Sequence, residues 1–437
     1  MIHPKIDGAF CTETELLQII QKDSFGYFLH EGNSENGLIL DKTADNWPSN
    51  IAAVGMALTA YPVGVERHFI SRHHAAQRTL VTLRFFATSE QSQTSDATGY
   101  KGFYYRFLDM KTGRRAWQCE LSSIDTALLI AGVLTAAAYF QHQTPDEIEI
   151  RQLADMLYRR VDWPWMLANS PLICHGWTPE SGFLPWPWKG YNEALILYIL
   201  ALGSPTFPIP ERSYAEWVTA YEWKTIFDIE CLYAGPLFIH QLSHVWIDFR
   251  GIRDSFMQNH DCDYFENSRR ATYIQQQYAM QNPMGFAQYG EFCWGITASD
   301  GPDTLRKDIK GVERRFFDYI ARGAPYGPDD GTLAPWAVVA SLPFAPEIVF
   351  PTIDNFNRLR LCEVNPYGFK ASFNPSYPAE PMCEAGWVSP FHFGINEGPT
   401  VIMVENYRTD FIWRLTRQCP YIVEGLRRAQ FTGGWLT

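Results

Sequence analysis

Two stretches of this chain read as helices that are apolar on nearly every side: "SSIDTALLIAGVLTAAAYF" (122–140) and "YNEALILYILALG" (191–203). A helix without a polar face cannot lie on a protein surface; it has to be surrounded by other helices. A ring of inner helices wrapped by outer ones meets that demand, with loops at one end forming a pocket. The expected fold is therefore all-α, an (α/α)6 barrel or toroid with a loop-built cleft. A multilayer helical bundle is the competing arrangement. No repeat recurs at a fixed period, so the barrel follows from the burial demand alone.

Helical periodicity continues elsewhere. Helices are expected to start near Thr12, Ser49, Arg67, Ser122, Pro145, Tyr191, Pro210, Gly235 and Asp263, and later near Ala334, Ala345, Gly398 and Pro420. "TETE" at 12–15 and "TPDE" at 144–147 are polar caps followed by acidic first turns. β alternation is sparse. "GFYYRFLD" (102–109) and "GRRAWQC" (113–119) flank the turn "MKTG" and read as a short hairpin. No linker rich in Ser, Gly or Pro divides the 437 residues, so a single domain over 1–437 is expected.

The formal charge is −12 with no basic run, which disfavours nucleic acid and anionic membrane surfaces as partners. Fifteen Trp and 22 Tyr suit a flat, polar-rimmed ligand such as a sugar, although large cores also collect aromatics. Nine dispersed cysteines read as buried thiols in a reducing compartment. The longest apolar run, Thr126 to Phe140, is shorter than the ~20 residues that cross a bilayer. The opening "MIHPKIDGAFCTETELL" carries no signal-peptide pattern. A cytoplasmic protein is expected, or a periplasmic or secreted one if a leader has been removed.

Nucleophile-elbow, phosphate-loop and dinucleotide-binding motifs are absent from the sequence. Carboxylates at helix starts remain. Glu120 and Asp125 in "ELSSIDTALL" flank a cap at Ser122 or Ser123. There they either complement the helix dipole or open into a site. Glu193 faces the same choice, but it follows a tryptophan-rich loop. Trp186, Trp188 and Tyr191 would desolvate its carboxyl and raise its pKa, as a general acid near neutral pH requires. His240 and His244 are spaced to share a helical face, yet the Glu of the zinc signature is missing, and structural or substrate-contacting roles are favoured over metal. "ASDGP" (298–302) and "YGPDDGT" (326–332) are acidic loops that read either as Asx-turns or as parts of a site. Paired carboxylates among aromatics are the equipment of a glycoside hydrolase.

The strings "HQLSHVWIDFRGIRDSFMQNHDCDYFENSRRATYIQQQYAMQNPMGF" and "YGEFCWGITASDGP" resemble the glucoamylase-like family that contains bacterial β-1,2-glucanases, glycoside hydrolase family 144. The resemblance continues through "ELSSIDTALLIAGVL", "GWTPESGF", "GYNEALILYILALGSP", "YGPDDGTLAP" and "ENYRTDFIWRL", from about Asp45 to the C-terminus. It implies an (α/α)6 barrel with an acidic cleft, no metal or other cofactor, and inverting cleavage of β-1,2-linked glucan or its oligosaccharides. It also implies Glu193 as general acid, Glu120 and Asp125 in the cleft, and Asp300 as a weaker candidate in the "DGP" loop.

Two departures stand out. The family usually reads G-I-D-Q-G-P where this chain has "GINEGP", so Asn396 replaces an acid and Glu397 follows it. It often reads F-x-D-A-F-N where this chain has "FKASFN", with Ala371 in place of an acid. The base is left open among Asp125, Glu120 and Glu397. A one-residue shift on a helix moves a side chain by ~100°, so Glu397 does not simply substitute for the missing acid. Trp186, Trp188, Trp246 and Trp294 are the candidate sugar-stacking residues, and Tyr191, His244, Arg250, Arg253, Tyr264, Asp300 and Asn396 are further candidate contacts. The rival readings are a β-1,2-glucan transglycosylase and a glycan-binding protein whose catalysis was lost with the acids at 371 and 396.

Overall fold

The computed structural model describes residues 2–4, 10–309, 311–362, 365–379 and 383–437. Several of its longer helices begin where a polar side chain takes an orphaned backbone N–H group. Thr12 caps α1 (Glu13–His30): its hydroxyl accepts the Glu15 N–H at 3.2 Å while the Glu15 carboxylate accepts the Thr12 N–H at 2.9 Å. Asn50 caps α2 (Ile51–Glu66), Ser71 caps α3 (Arg72–Thr88), Ser122 caps α4 (Ser123–Tyr139) and Thr144 caps α5 (Pro145–Arg160). After α6 (Leu195–Gly203), α7 (Arg212–Val218) and α8 (Ser255–Asn259), Asp263 caps α9 (Tyr264–Gln281). The chain ends with α10 (Pro335–Ala340), α11 (Pro346–Arg358), α12 (Gly394–Thr409), α13 (Phe411–Thr416) and α14 (Pro420–Arg428).

Six inner segments close a ring among the described residues: α2, α4, α6, the paired 3-10 turns Leu237–His240 and Leu242–Val245, α10 and α12. α2 packs on α4, α4 on α6, α10 on α12, and α12 back on α2. Side chains complete the ring at the 3-10 turns. Ser243 Oγ accepts the Ile196 N–H at 3.1 Å, and the Gln241 amide donates to Ala337 O at 2.6 Å. Outside, α1 covers α12, α3 and α5 cover α2 and α4, α14 covers α6, α9 covers the 3-10 turns and α11 covers α10. This alternation is an (α/α)6 barrel.

The tightest inner crossing is made by glycine. A Cβ on Gly132 of α4 would lie 2.1 Å from the Gly55 carbonyl oxygen, and one on Gly55 of α2 would lie 2.3 Å from Leu128 O. Backbone meets backbone there, which no other residue permits. One continuous hydrophobic core runs from Leu16 to Leu436. No helix among the described residues is long and apolar enough to cross a membrane.

Several expected boundaries move. The Tyr191 helix starts only at Leu195, the Gly398 helix starts earlier at Gly394, and α3 starts at Arg72 rather than Arg67. The expected helix from Gly235 is replaced by the two 3-10 turns, whose side chains bond to neighbouring elements. The hairpin over 102–119 shrinks to a single bridge between Leu108 and Arg115. Phe103–Tyr104 pairs with Gly99–Tyr100 instead, and Phe107–Leu108 with Ser49–Asn50. The Arg115 guanidinium draws in the Gln118 and Cys119 carbonyls, each at 2.6 Å, and curls the second strand away. Cys119, Cys174, Cys231, Cys262, Cys293 and Cys419 are buried free thiols, Cys383 is exposed, and the Cys11 side chain lies outside the described residues.

Candidate active site

α4, α6, the 3-10 turns, α10 and α12 put their N-terminal ends around a cavity of about 540 Å³. Asp125 and Leu128 reach it from the start of α4, Trp336 from α10, Ile395 and Asn396 from α12, and Phe238 and Leu242 from the 3-10 turns. Loops supply Arg106, Glu120, His175, Trp186, Trp188 and Tyr319. Helix N-termini carry partial positive charge, which suits a cavity lined with carboxylates.

Glu193 lines this cavity from the turn just before α6. It does not cap the helix: Asn192 Oδ1 accepts the Ala194 N–H at 3.1 Å and Ser243 Oγ takes the Ile196 N–H. Burial pushes the Glu193 carboxyl up to about 7. The negative charge of Asp125 adds to the shift, while the residue's own N–H and the Arg106 guanidinium oppose it. A carboxyl with such a value keeps its proton near neutral pH and can donate it.

Asp125 sits in the first turn of α4. Ser122 Oγ accepts the Asp125 N–H at 3.1 Å and donates in turn to Oδ2. Arg106 Nε lies 3.8 Å from the same oxygen. Burial raises the Glu120 carboxyl, and the charge of Asp125 raises it further. Three carboxylates and one guanidinium thus share the cavity. Trp188 presses its ring on His175 at 3.7 Å between centroids and donates its indole N–H to Ser123 Oγ at 2.9 Å. Trp186 is 61% exposed on the same wall. Sequence reasoning missed Arg106, His175 and Tyr319. A lone arginine inside the apolar run "FYYRFLD" was the available signal for the first.

The other expected site residues lie outside the cavity. Glu397, one position beyond Asn396, points behind the ring: its Oε1 lies 3.0 Å from His392 Nδ1, and Lys370 is also near. Ala371 is buried away from the cavity. Asp300 is buried and accepts a hydrogen bond from Ser389 Oγ at 2.8 Å. In the companion acidic loop, Asp330 forms a fully buried ion pair with Arg322. Trp246 and Trp294 are fully buried, and Trp246 donates to Thr59 Oγ1.

His244 packs against Phe249 and Phe344 with Nε2 3.0 Å from Ser268 Oγ, and His240 Nε2 lies 3.1 Å from Ala234 O. Burial lowers both histidines, to about 3 and about 4 respectively. Tyr191 packs against His240 and Tyr264, and Tyr264 donates to Asp254 at 2.7 Å. Arg250 forks onto Asp248 and reaches Asp410 at 2.9 Å, while Arg253 pairs with Asp261. In each case packing or an ion pair claims the side chain that composition had offered to a ligand. No cluster of three or more His, Cys, Asp or Glu among the described residues is placed to hold a metal.

The fold and cavity together define an (α/α)6-barrel protein with an acidic, tryptophan-walled cleft. A family model described as "Putative glucoamylase" matches residues 185–420, more than half of the chain, and the chain belongs to this glucoamylase-like family. A solved structure of the same description, from Bacteroides uniformis, is 30% identical with a TM-score of 0.85, covering 98% of this chain and 99% of that one. The endo-β-1,2-glucanase of Chitinophaga pinensis, solved with sophorotriose and glucose, is 25% identical with a TM-score of 0.84, covering 97% and 100%. The exo-β-1,2-glucooligosaccharide sophorohydrolase (non-reducing end) of Parabacteroides distasonis is 28% identical over 96% of this chain. The chain spans 58% of the length of that relative.

Proposed function

We propose that this chain, acting as a single barrel domain, is a glycoside hydrolase that cleaves β-1,2-linked glucan or its oligosaccharides with inversion. The observation that carries the reading is Glu193: a carboxyl held in the cavity, relieved of any capping duty and raised to about 7 by burial. The names of the relatives supply the linkage. The Glu193 proton passes to the glycosidic oxygen as the bond to the anomeric carbon breaks. Water attacks that carbon from the opposite face and loses its proton to a second carboxylate.

Asp125 takes the base role in this scheme. Asn396 lines the cavity but carries an amide, which cannot accept the proton, and Glu397 faces away from it. Of the remaining acids, Asp125 is the one whose charge bears on Glu193. Arg106 and Ser122 orient it, and Glu120 lies alongside. Trp186 and Trp188 offer rings to sugar faces. The buried free thiols support action in a reducing compartment.

The Asn396 amide, where the family usually has an acid, favours a glycan-binding protein as the second reading. Incubation with β-1,2-glucan and its short oligomers, with products followed by NMR, separates the possibilities. Shorter reducing oligosaccharides support the proposal. Transfer products dominating at low sugar concentration indicate a transglycosylase, and tight binding without turnover indicates a binding protein.

A further inference from the structure

The turn at the rim of the cavity holds a tryptophan in a backbone conformation that costs free energy to keep. Trp117 has φ +54° and Gln118 has φ +53°. Two successive non-glycine residues in the left-handed region, one of them bulky, persist only where the surroundings over-determine them. A glycine would take the first position without strain.

The surroundings do over-determine the turn. The Arg115 side chain is only 2% exposed, and its guanidinium donates to the carbonyls of Gln118, Cys119 and Ser95 while forking onto Glu180. Yet the side chain so carefully placed is not buried. The Trp117 indole is 55% exposed. It meets Trp47 edge-on at 4.6 Å and Phe107 at 5.1 Å. Trp47 is anchored in turn, with its indole N–H on Asp41 at 2.9 Å and Lys42 Nζ 4.2 Å over its ring. Packing alone does not require an arginine devoted to displaying an indole.

The display borders the cavity. The Arg106 guanidinium lies 5.0 Å over the Phe107 ring that Trp117 touches, and both Arg106 and Glu120, the latter three residues after Trp117, line the cavity. We propose that Trp117, braced by Trp47, is a sugar-stacking subsite at the cavity rim, taking a glucosyl unit beyond those held inside. An exposed indole beside Trp47, with Lys42 over the Trp47 ring and Arg106 over the neighbouring Phe107 ring, suits the apolar face and hydroxyl edge of a pyranose. The inference rests on the glycoside hydrolase reading and extends it to chain-length preference.

The test compares wild type, Trp117→Ala and Trp117→Phe on β-1,2-glucooligosaccharides of increasing length. The readout is kcat/KM on a long oligomer divided by kcat/KM on the shortest one cleaved. Trp117→Ala is expected to lower this ratio about fivefold, the size of an aromatic contact, and Trp117→Phe to restore most of it. A loss independent of length, or no loss, overturns the subsite while the hydrolase reading stands. Wild type that cleaves no β-1,2-linked oligomer overturns both. Should Trp117→Ala fail to fold, ¹⁹F NMR of wild type labelled with 5-fluorotryptophan gives the same answer. The resonance missing from Trp117→Phe must shift with the long oligomer and stay put with the short one; a resonance unmoved by either refutes the subsite.

Discussion

Asn192 and Glu193 divide the work at the head of α6: the asparagine oxygen accepts the Ala194 N–H at 3.1 Å, and the glutamate carboxyl is left to the cavity. Adjacent residues thus separate structure from chemistry. Asn192→Ala should remove one hydrogen bond, costing about 1 kcal/mol of stability by thermal or denaturant unfolding. Its pH profile should keep the wild-type shape, because the acid group is untouched.

The raised Glu193 value sets the pH behaviour. A proton donor titrating at about 7 should make kcat/KM fall as pH rises through about 7.

Stability follows the same group with a definite sign. The folded state holds the proton more tightly than the unfolded chain, where the carboxyl titrates near 4.5. Stability from this group is therefore full below about 4.5 and declines as pH rises to about 7. Glu193→Gln should exceed wild type in stability above pH 7, on the order of 2–3 kcal/mol, and the advantage should vanish in mild acid. Paired unfolding curves at the two pH extremes measure the difference.

Gly132→Ala tests the seam between α2 and α4. Its new methyl would meet the Gly55 carbonyl oxygen at 2.1 Å, so α2 and α4 must separate. The expected loss is about 1–3 kcal/mol by denaturant unfolding, with activity reduced as the start of α4 shifts Asp125.

At the C-terminal side, Asp248 is fully buried and holds two arginines, Arg250 and Arg417. Asp248→Ala leaves both guanidiniums without their buried partner. Arg250 keeps Asp410 and both guanidiniums are partly exposed, so the expected loss is about 1.5–3 kcal/mol, read as a lowered Tm.

Local signals in the sequence carried far. The caps at Thr12 and Thr144 stand where spacing put them, and of the two serines offered for α4 it is Ser122 that caps, because a cap depends only on a few neighbouring residues. The helix over 122–140 proved to be an inner one, because a segment apolar all round has nowhere else to go. Glu120, Asp125, Glu193, Trp186, Trp188 and Asn396 do meet in one cavity. What failed was telling cavity from core by residue type. Trp246, Trp294, His244 and Tyr264 have side chains that suit a sugar and a core equally, and only packing decides between them. Trp117 escaped notice for the opposite reason: its exposure comes from a left-handed backbone turn clamped by Arg115, and no periodicity announces that.

The most direct test follows the anomeric form of the new reducing end by ¹H NMR during cleavage of β-1,2-glucan, for wild type and Glu193→Gln. The account predicts that wild type releases the α-anomer first. It also predicts that Glu193→Gln loses about 10²–10⁴-fold of the rate while keeping its fold. Release of the β-anomer first, or undiminished turnover by Glu193→Gln, would contradict it.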